Sequence, residues 1–139
     1  MYTTHVGRHD EPSPGEDALA HKVIGAALEV HSLLGPGYLE SVYENALCFE
    51  LELRGVPFLR QHMVPVHYKA RPVGEGRLDL LVGDVLVVEL RAVEMLMPIH
   101  SMQLHSYLKA TNHKLGLLIN FNISLLKNGI KRVILDKSI

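Results

Sequence analysis

Apolar side chains recur at steps of three and four residues early in the chain, which places them on one face of a helix. A capping box in Ser13-Pro14-Gly15-Glu16 begins this predicted helix, and Gly35-Pro36-Gly37 ends it. The positions on its buried face are Ala20, Val23, Ile24, Ala27, His31 and Leu34. A second helix is predicted over 39–54, with Gly55 as its C-terminal stop. The residues that this helix is expected to bury are Leu39, Val42, Ala46, Phe49 and Leu53.

After the second helix the pattern changes to that of strands. Residues 58–68 form the first predicted strand, and Pro65 within it indicates an edge strand or a bulge. The segment 69–74 contains Pro and Gly and is predicted to be a turn. Two short strands, 76–82 and 85–91, follow around a hairpin signal.

The remaining elements complete an α/β pattern. Pro98 begins a third helix over 98–110, where its missing amide hydrogen costs little. Residues 114–121 are largely apolar, as in a strand buried on both faces, and 131–135 is a last short strand. The predicted order is α-α-β-β-β-α-β-β. It indicates an α/β fold in which helices flank a mixed β-sheet.

Size and composition indicate one domain. The chain has 139 residues, of which 47% are hydrophobic and 21% charged, as in a globular protein with one core. Residues 1–12 show no periodicity and are predicted to be a mobile N-terminal arm, so the domain spans 13–139. The formal net charge is −1, and any binding of nucleic acid is therefore expected to be local. The apolar fraction permits a homo-oligomer without requiring one.

The lack of recognisable targeting signals predicts a cytoplasmic protein. Residues 1–15 are polar and lack the apolar region of a signal peptide. No apolar run reaches the roughly 18 residues that a membrane span needs, so no membrane contact is expected. Cys48 is the one cysteine, which excludes an internal disulfide and suits a reducing compartment.

Two acidic residues, Asp79 and Glu89, lie on neighbouring predicted strands, and Arg91 follows Glu89 by two positions. Because side chains alternate along a strand, Glu89 and Arg91 share a face. A two-residue turn at Gly83-Asp84 would place Asp79 opposite Val88 and the two acids on opposite faces. A three-residue turn or a bulge would instead place Asp79 opposite Glu89. The pattern leaves both registers open.

Paired carboxylates on a sheet suggest a metal site. Two such groups repel each other unless a cation compensates them. Mg²⁺ suits the pair because it binds one or two carboxylates and keeps several waters. Bound there, it can polarise a phosphoryl oxygen and supply a hydroxide-like water. The alternative is a surface ion pair between Glu89 and Arg91, with Asp79 at a strand end.

Five blocks of sequence resemble the GxxExxY protein family in the right order. The first block, Gly37-Tyr38-Leu39-Glu40-Ser41-Val42-Tyr43, matches the motif that names this family. The other blocks are 77–82, 88–94, 103–109 and 114–121. That family is similar to a compact branch of the PD-(D/E)xK nuclease superfamily. The resemblance therefore implies a restriction-endonuclease-like fold.

The resemblance also implies a set of metal ligands. Asp79 would be the direct ligand of Mg²⁺ or Mn²⁺, Glu89 the second ligand, and the carbonyl of Leu90 a third. Glu40 would be the helix carboxylate that contacts the metal or its waters. From the residues alone, Glu40 and Glu44 lie one helical turn apart and are either a site at Glu40 or two solvated acids.

Two residues of the third helix belong to the same implied site. Gln103 and Tyr107 match a Gln-x-x-x-Tyr pattern of exonuclease-like members, in which these residues brace the site or meet the substrate. They are four positions apart and lie on one helix face. Ile99 and Ala110 share that stripe, and a polar Gln103 inside an otherwise inward stripe indicates a site. Tyr43, in contrast, is expected to be a core or supporting aromatic residue.

Arg91 departs from the family pattern, which has lysine at this position. A lysine there can hold or help to deprotonate the attacking water, because its pKa can be lowered. Arginine stays protonated and cannot act as a base, although it can still stabilise phosphate charge. Two outcomes remain open: a slower enzyme, or a site in which Arg91 replaces the metal and neutralises the acids directly.

The leading hypothesis is a Mg²⁺-dependent nuclease that hydrolyses phosphodiester bonds of nucleic acid. The alternative is a catalytically inactive nuclease-fold module that acts in nucleic-acid binding or protein assembly. A third possibility is a phosphoesterase that acts on a small nucleotide. Five basic residues could form a modest rim for a phosphate backbone, or a solvated face: Lys109, Lys114, Lys127, Lys131 and Arg132.

Overall fold

The computed structural model describes residues 2–4 and 11–136, and its centre is a six-stranded mixed sheet. The strand order across the sheet is β1-β6-β5-β4-β3-β2, in which β1–β6 and β4–β5 are parallel pairs and the others antiparallel. The elements are β1 (Tyr2–Thr4), α1 (Pro14–Leu34), α2 (Glu40–Leu53), β2 (Phe58–Tyr68), β3 (Arg71–Val82), β4 (Leu86–Arg91), α3 (Pro98–Thr111), β5 (Leu115–Asn120) and β6 (Ile130–Ile134).

The predicted order of elements is confirmed from α1 to β6, with one strand added before it. Tyr2–Thr4 pairs with Lys131, Arg132 and Val133 of β6, although the sequence predicted no strand there. A strand of three residues is too short to show a hydrophobic period, so the sequence could not predict it. The rest of the mobile arm expected over 1–12 lies outside the described residues, except for residues 11 and 12.

Helices cover both faces of the sheet and create two cores. We call the cluster under α1 and α2 the first core, and the smaller cluster under α3 the second core. Leu117 of β5 faces the first core and Leu118 faces the second. All six residues of β5 are buried, which confirms the prediction of a strand covered on both faces.

Helix α1 follows its predicted pattern. Ser13 and Glu16 form the expected capping box, and the helix ends before Gly35, whose φ of +69° favours glycine. The buried residues include Ala20, Val23, Ala27 and His31 from the predicted stripe, and also Ala26 and Val30.

Helix α2 buries a different face from the one predicted. Leu39, Phe49 and Leu53 of the predicted stripe are 75%, 61% and 65% exposed. The buried face is instead formed by Tyr43, Glu44, Leu47, Cys48 and Leu51. Apolar residues occupy both faces of this helix, so the helical period alone does not select one. Tyr43 selects the face, because its ring stacks on Phe121 at 4.7 Å and its hydroxyl donates to the Gly35 carbonyl at 2.5 Å.

Strands β2 and β3 form a long hairpin at the edge of the sheet. Its turn is only Lys69-Ala70, both at positive φ, so β3 begins at Arg71 and the predicted turn over 69–74 was too long. Strand β3 pairs with β4 only over Leu80–Val82, so its first half has β2 as its one described neighbour. Residues 65–77 are exposed except for Gly76, and we call this segment the ribbon. Because Pro65 lies on the edge strand, its missing donor is tolerated.

Candidate active site

The β3–β4 turn sets the register that brings the two acids together. Val82 pairs with Leu86 and Leu80 pairs with Val88, so three residues form the turn. Gly83 and Asp84 both have positive φ, of +58° and +63°. The same register places Asp79 opposite Glu89. Of the two registers that the sequence left open, the structure therefore has the one with a three-residue turn.

Beyond the Leu80–Val88 pair, side chains replace the regular ladder between β3 and β4. The Asp79 amide donates to Oε2 of Glu89 at 2.7 Å. The Leu90 amide donates to Oδ2 of Asp79 at 2.8 Å. Each carboxylate thus binds the backbone of the opposite strand. Both acids consequently lie between the two strands, in orientations fixed by the backbone.

Strand β3 is irregular at Asp79. Leu78 packs in the second core, whereas Leu80 packs in the first. Residues two apart on a regular strand face the same side, so the alternation breaks between them. On β2, Gln61 lies opposite Asp79, between the Arg60–Leu80 and His62–Leu78 pairs, and has a φ of +49°. A strict period of two therefore could not place the Asp79 side chain from the sequence.

Burial changes the acidity of the pair. Glu89 is only 3% exposed, and desolvation, followed by the charge of Asp79, raises its pKa to about 8. Desolvation also raises the pKa of Asp79, opposed by the Leu90 amide and by the charge of Arg91. Glu89 is therefore the member that carries a proton at neutral pH. A cation placed between the acids would displace this proton.

Arg91 places its guanidinium beside the pair. Nη1 donates to the Leu90 carbonyl at 2.7 Å and lies 3.6 Å from Oδ2 of Asp79. Nη2 donates to Oε1 of Gln103 at 2.7 Å. Asp79 and the Leu90 carbonyl are two of the three metal ligands implied by the resemblance. One nitrogen of Arg91 thus lies within reach of both.

Helix α3 contributes Gln103 and Tyr107 in different ways. Gln103 is exposed and binds Arg91, while Tyr107 is half-buried and packs against the second core. The prediction that their stripe points inward together with Ile99 and Ala110 is wrong, because both of these residues are exposed. The buried face of α3 is formed by Leu104 and Leu108.

Helix α2 presents two acids near Asp79. Glu40 is the first residue of the helix, and desolvation, then the charge of Asp79, raise its pKa. Glu44 is buried and accepts hydrogen bonds from Arg60 at 2.8 Å and Gln61 at 2.9 Å, so it is not a solvated acid. Gln61 in turn reaches Asp79 Oδ1 at 3.5 Å.

Sequence reasoning missed Arg60 and Gln61, which connect Glu44 to Asp79. Both lie on an edge strand, and their partner Glu44 is 16 or 17 positions away in the chain. Neither helical nor strand periodicity relates residues at that separation. The positive φ of Gln61 is likewise without a sequence signal, since glutamine is not a residue that favours it.

The donor set suits a hard cation. Two carboxylates and a backbone carbonyl offer the oxygen ligands that Mg²⁺ prefers, and Mg²⁺ commonly keeps waters in its remaining positions. In the described part of the chain, no three His, Cys, Asp or Glu side chains form a metal-binding group. Asp79, Glu89 and the Leu90 carbonyl therefore fit a two-carboxylate site and would be the groups to hold such a cation, with the Arg91 guanidinium donating to the same carbonyl.

Three of the five basic residues predicted as a rim lie in different surroundings. Lys109 lines a groove beside the ribbon, whereas Lys131 lines a separate pocket with Glu94 and Asn120. Arg132 forms an ion pair with Asp17 of α1. Among the described helices, none is long and apolar enough to cross a membrane.

A mixed sheet with two helices on one face, a third on the other and paired acids between β3 and β4 defines a restriction-endonuclease-like α/β protein. The family model of the PD-(D/E)XK nuclease superfamily matches residues 17–133. The chain belongs to this superfamily. A search of curated proteins finds no match to the chain.

Proposed function

We propose that this protein hydrolyses phosphodiester bonds of nucleic acid with the help of Mg²⁺ or Mn²⁺. The observation that carries the proposal is the pair of carboxylates, Asp79 and Glu89, held between β3 and β4 in a chain of the nuclease superfamily. These residues would hold the metal together with the Leu90 carbonyl, and Glu40 would hold one of its waters. The metal, when bound, supplies a polarised phosphoryl oxygen and an acidified water.

The protein's own groups supply orientation and charge. The Leu90 amide orients the Asp79 carboxylate, and the Asp79 amide orients that of Glu89. Gln103 holds the guanidinium of Arg91, which can stabilise a phosphate. Because arginine cannot take a proton from water, we expect this enzyme to be slower than a relative with lysine at position 91. The GxxExxY assignment is part of this proposal.

The test is a cleavage assay with single- and double-stranded DNA and RNA. We expect cleavage that requires Mg²⁺ or Mn²⁺, stops in EDTA, and falls by about 100-fold or more in Asp79→Asn. Asp84→Asn is the matched control, because Asp84 is exposed on the neighbouring turn and outside the site. Failure of both the parent and Arg91→Lys to cleave any of these substrates would remove the proposed activity.

A second candidate is an inactive nuclease-fold module that binds nucleic acid or serves in assembly. The contact of one Arg91 nitrogen with both Leu90 and Asp79 favours it, because a fixed charge already lies beside two implied ligands. The exposed apolar stripe of α2 supports the expectation of a homo-oligomer. Cleavage by Arg91→Lys but not by the parent identifies this case, and light scattering measures the mass in solution.

A further inference from the structure

The ribbon extends away from the two cores. Residues 65–77 are exposed except for Gly76, and neither core contains a residue of the ribbon. Apart from its base, which packs on Tyr107, this two-stranded hairpin gains little from hydrophobic burial. Folding stability therefore does not account for its length, which leaves a role at its surface.

Positive charge is concentrated on the ribbon. It carries Lys69, Arg71 and Arg77 against one acid, Glu75, while the whole chain has a formal charge of −1. The ribbon is thus locally basic in a protein that is acidic elsewhere. Such a local patch is the electrostatic footprint of a phosphate-binding surface.

A groove joins the ribbon to helix α3. It has a volume of about 370 Å³, and one wall is formed by Pro65, Val66 and His67 of the ribbon. The other wall is formed by Ser106, Lys109 and Ala110 of α3. On the α3 wall, Lys109 and Ser106 offer a cation and a hydroxyl that suit a phosphate chain, and His67 lies on the ribbon wall.

The groove is connected to the candidate active site through α3. A Cβ at Gly76 would lie 2.6 Å from the ring of Tyr107, so the base of the ribbon packs directly on this residue. Tyr107 lies one helical turn after Gln103, which binds Arg91. A strand that leaves the acid pair along α3 would therefore enter the groove.

The tip of the ribbon presents an aromatic ring. Tyr68 is 63% exposed, and the ammonium of Lys69 lies 5.4 Å from its ring centroid. An exposed aromatic ring beside cations is the arrangement on which unpaired bases stack. Paired bases inside a duplex cannot stack in this way.

We propose that the ribbon and its groove bind single-stranded nucleic acid next to the acid pair. Lys69 and Arg71 contact phosphates, and Tyr68 stacks on a base. The proposal deepens the proposed function, since it names a substrate class and the path of the strand. Binding and cleavage are measured separately, so that the two proposals can fail independently.

The experiment is fluorescence anisotropy with short labelled single-stranded DNA, single-stranded RNA and duplex DNA, in EDTA and over a salt series. We expect the single strands to bind more tightly than the duplex. The double variant Lys69→Gln/Arg71→Gln should weaken single-strand binding on the order of 10- to 50-fold near 0.1 M salt and lower the salt slope by about 1.4. Tyr68→Ala should weaken it roughly 5- to 100-fold.

The matched control is Lys22→Gln/Arg54→Gln, which removes the same charge from exposed positions outside both the ribbon and the expected rim. It should retain parental affinity within about twofold, apart from the weak long-range effect of net charge. Circular dichroism confirms that each variant is folded. An equal loss of affinity in the ribbon and control variants would overturn the proposal. Absence of single-strand binding, or tighter binding of duplex than of single strands, would overturn it as well.

Cleavage without ribbon-dependent binding would overturn this inference and leave the proposed function intact. Ribbon-dependent binding without cleavage by the parent or by Arg91→Lys would overturn the proposed function and leave this inference intact.

Discussion

At the scale of single residues, Arg91 determines how the acid pair is balanced. Its guanidinium lies 3.6 Å from the Asp79 carboxylate and donates to the Leu90 carbonyl, while Gln103 holds its other nitrogen. The charge of Asp79 is therefore partly compensated without a metal. Glu89 is compensated mainly by keeping its proton, since its pKa is raised to about 8.

We expect Arg91→Lys to raise Mg²⁺-dependent cleavage by up to about 100- to 1000-fold, the scale of one well-placed electrostatic group. A lysine ammonium can lose its proton in a desolvated site and can hold the attacking water, whereas a guanidinium cannot. Initial rates on the best substrate measure the change. Arg54→Lys, in an exposed ion pair with Glu50, is the control and should leave the rate unchanged. Equal rates for the parent and Arg91→Lys would contradict this role.

The raised pKa of Glu89 predicts a pH-dependent stability. Between pH 4.5 and about 8, the folded protein keeps a proton on Glu89 that the unfolded chain has released. The free energy of unfolding of the metal-free protein should therefore decrease as the pH rises through this window. Glu89→Gln keeps an oxygen for the Asp79 amide but cannot titrate. Across the same pH window, its free energy of unfolding should therefore fall by roughly 2 to 4 kcal/mol less than that of the parent.

Urea unfolding in EDTA, at pH values below and above that window, measures both proteins. Groups away from the acid pair titrate equally in the two proteins, so the difference between them reports the joint titration of Glu89 and Asp79. Identical pH dependence in the parent and in Glu89→Gln would show that Glu89 has an ordinary pKa.

At the scale of elements, helix α2 shows how packing selects between two apolar faces. Leu47 is fully buried and Leu53 is 65% exposed, although both belong to apolar stripes. We expect Leu47→Ala to cost about 2 to 5 kcal/mol of unfolding free energy. The identical change at Leu53 should cost no more than about 0.5 kcal/mol. Chemical denaturation at low protein concentration measures both costs. A larger cost at Leu53 than at Leu47 would mean that the face containing Leu53 is the buried one.

The base of the ribbon offers a second matched pair. An added methyl at Gly76 meets the ring of Tyr107, whereas one at Gly74 meets nothing within 4 Å. Gly76→Ala should therefore destabilise the protein on the order of 1 kcal/mol by displacing a half-buried ring, with Gly74→Ala near neutral. Thermal unfolding and the fluorescence of the tyrosines measure the effect. Equal stability of the two variants would show that Tyr107 does not anchor the ribbon.

At the scale of the whole molecule, periodic segments could be predicted and contacts between distant segments could not. The capping box of α1, the wholly buried β5 and the limits of β2 have local signals, and the structure confirms them. The acids Asp79 and Glu89 were also identifiable, because they lie on adjacent strands of one hairpin. Their register was not, since it depends on the backbone conformation of a three-residue turn.

Other features depend on tertiary packing. The buried face of α2 follows from the stacking of Tyr43 on Phe121, and the link from Glu44 to Asp79 passes through a strand on the edge of the sheet. The expected rim also depends on folding, which places Lys109, Lys131 and Arg132 in different surroundings. Sequence periodicity carries no information on any of these contacts.

The central claim is that Asp79 and Glu89 together hold a divalent cation. Anomalous diffraction from crystals of this protein soaked in Mn²⁺ tests it most directly. The account predicts a manganese peak bridging the two carboxylates, with the Arg91 guanidinium displaced from the Leu90 carbonyl. A map without this peak, in which Arg91 still binds Leu90 at saturating Mn²⁺, would contradict it.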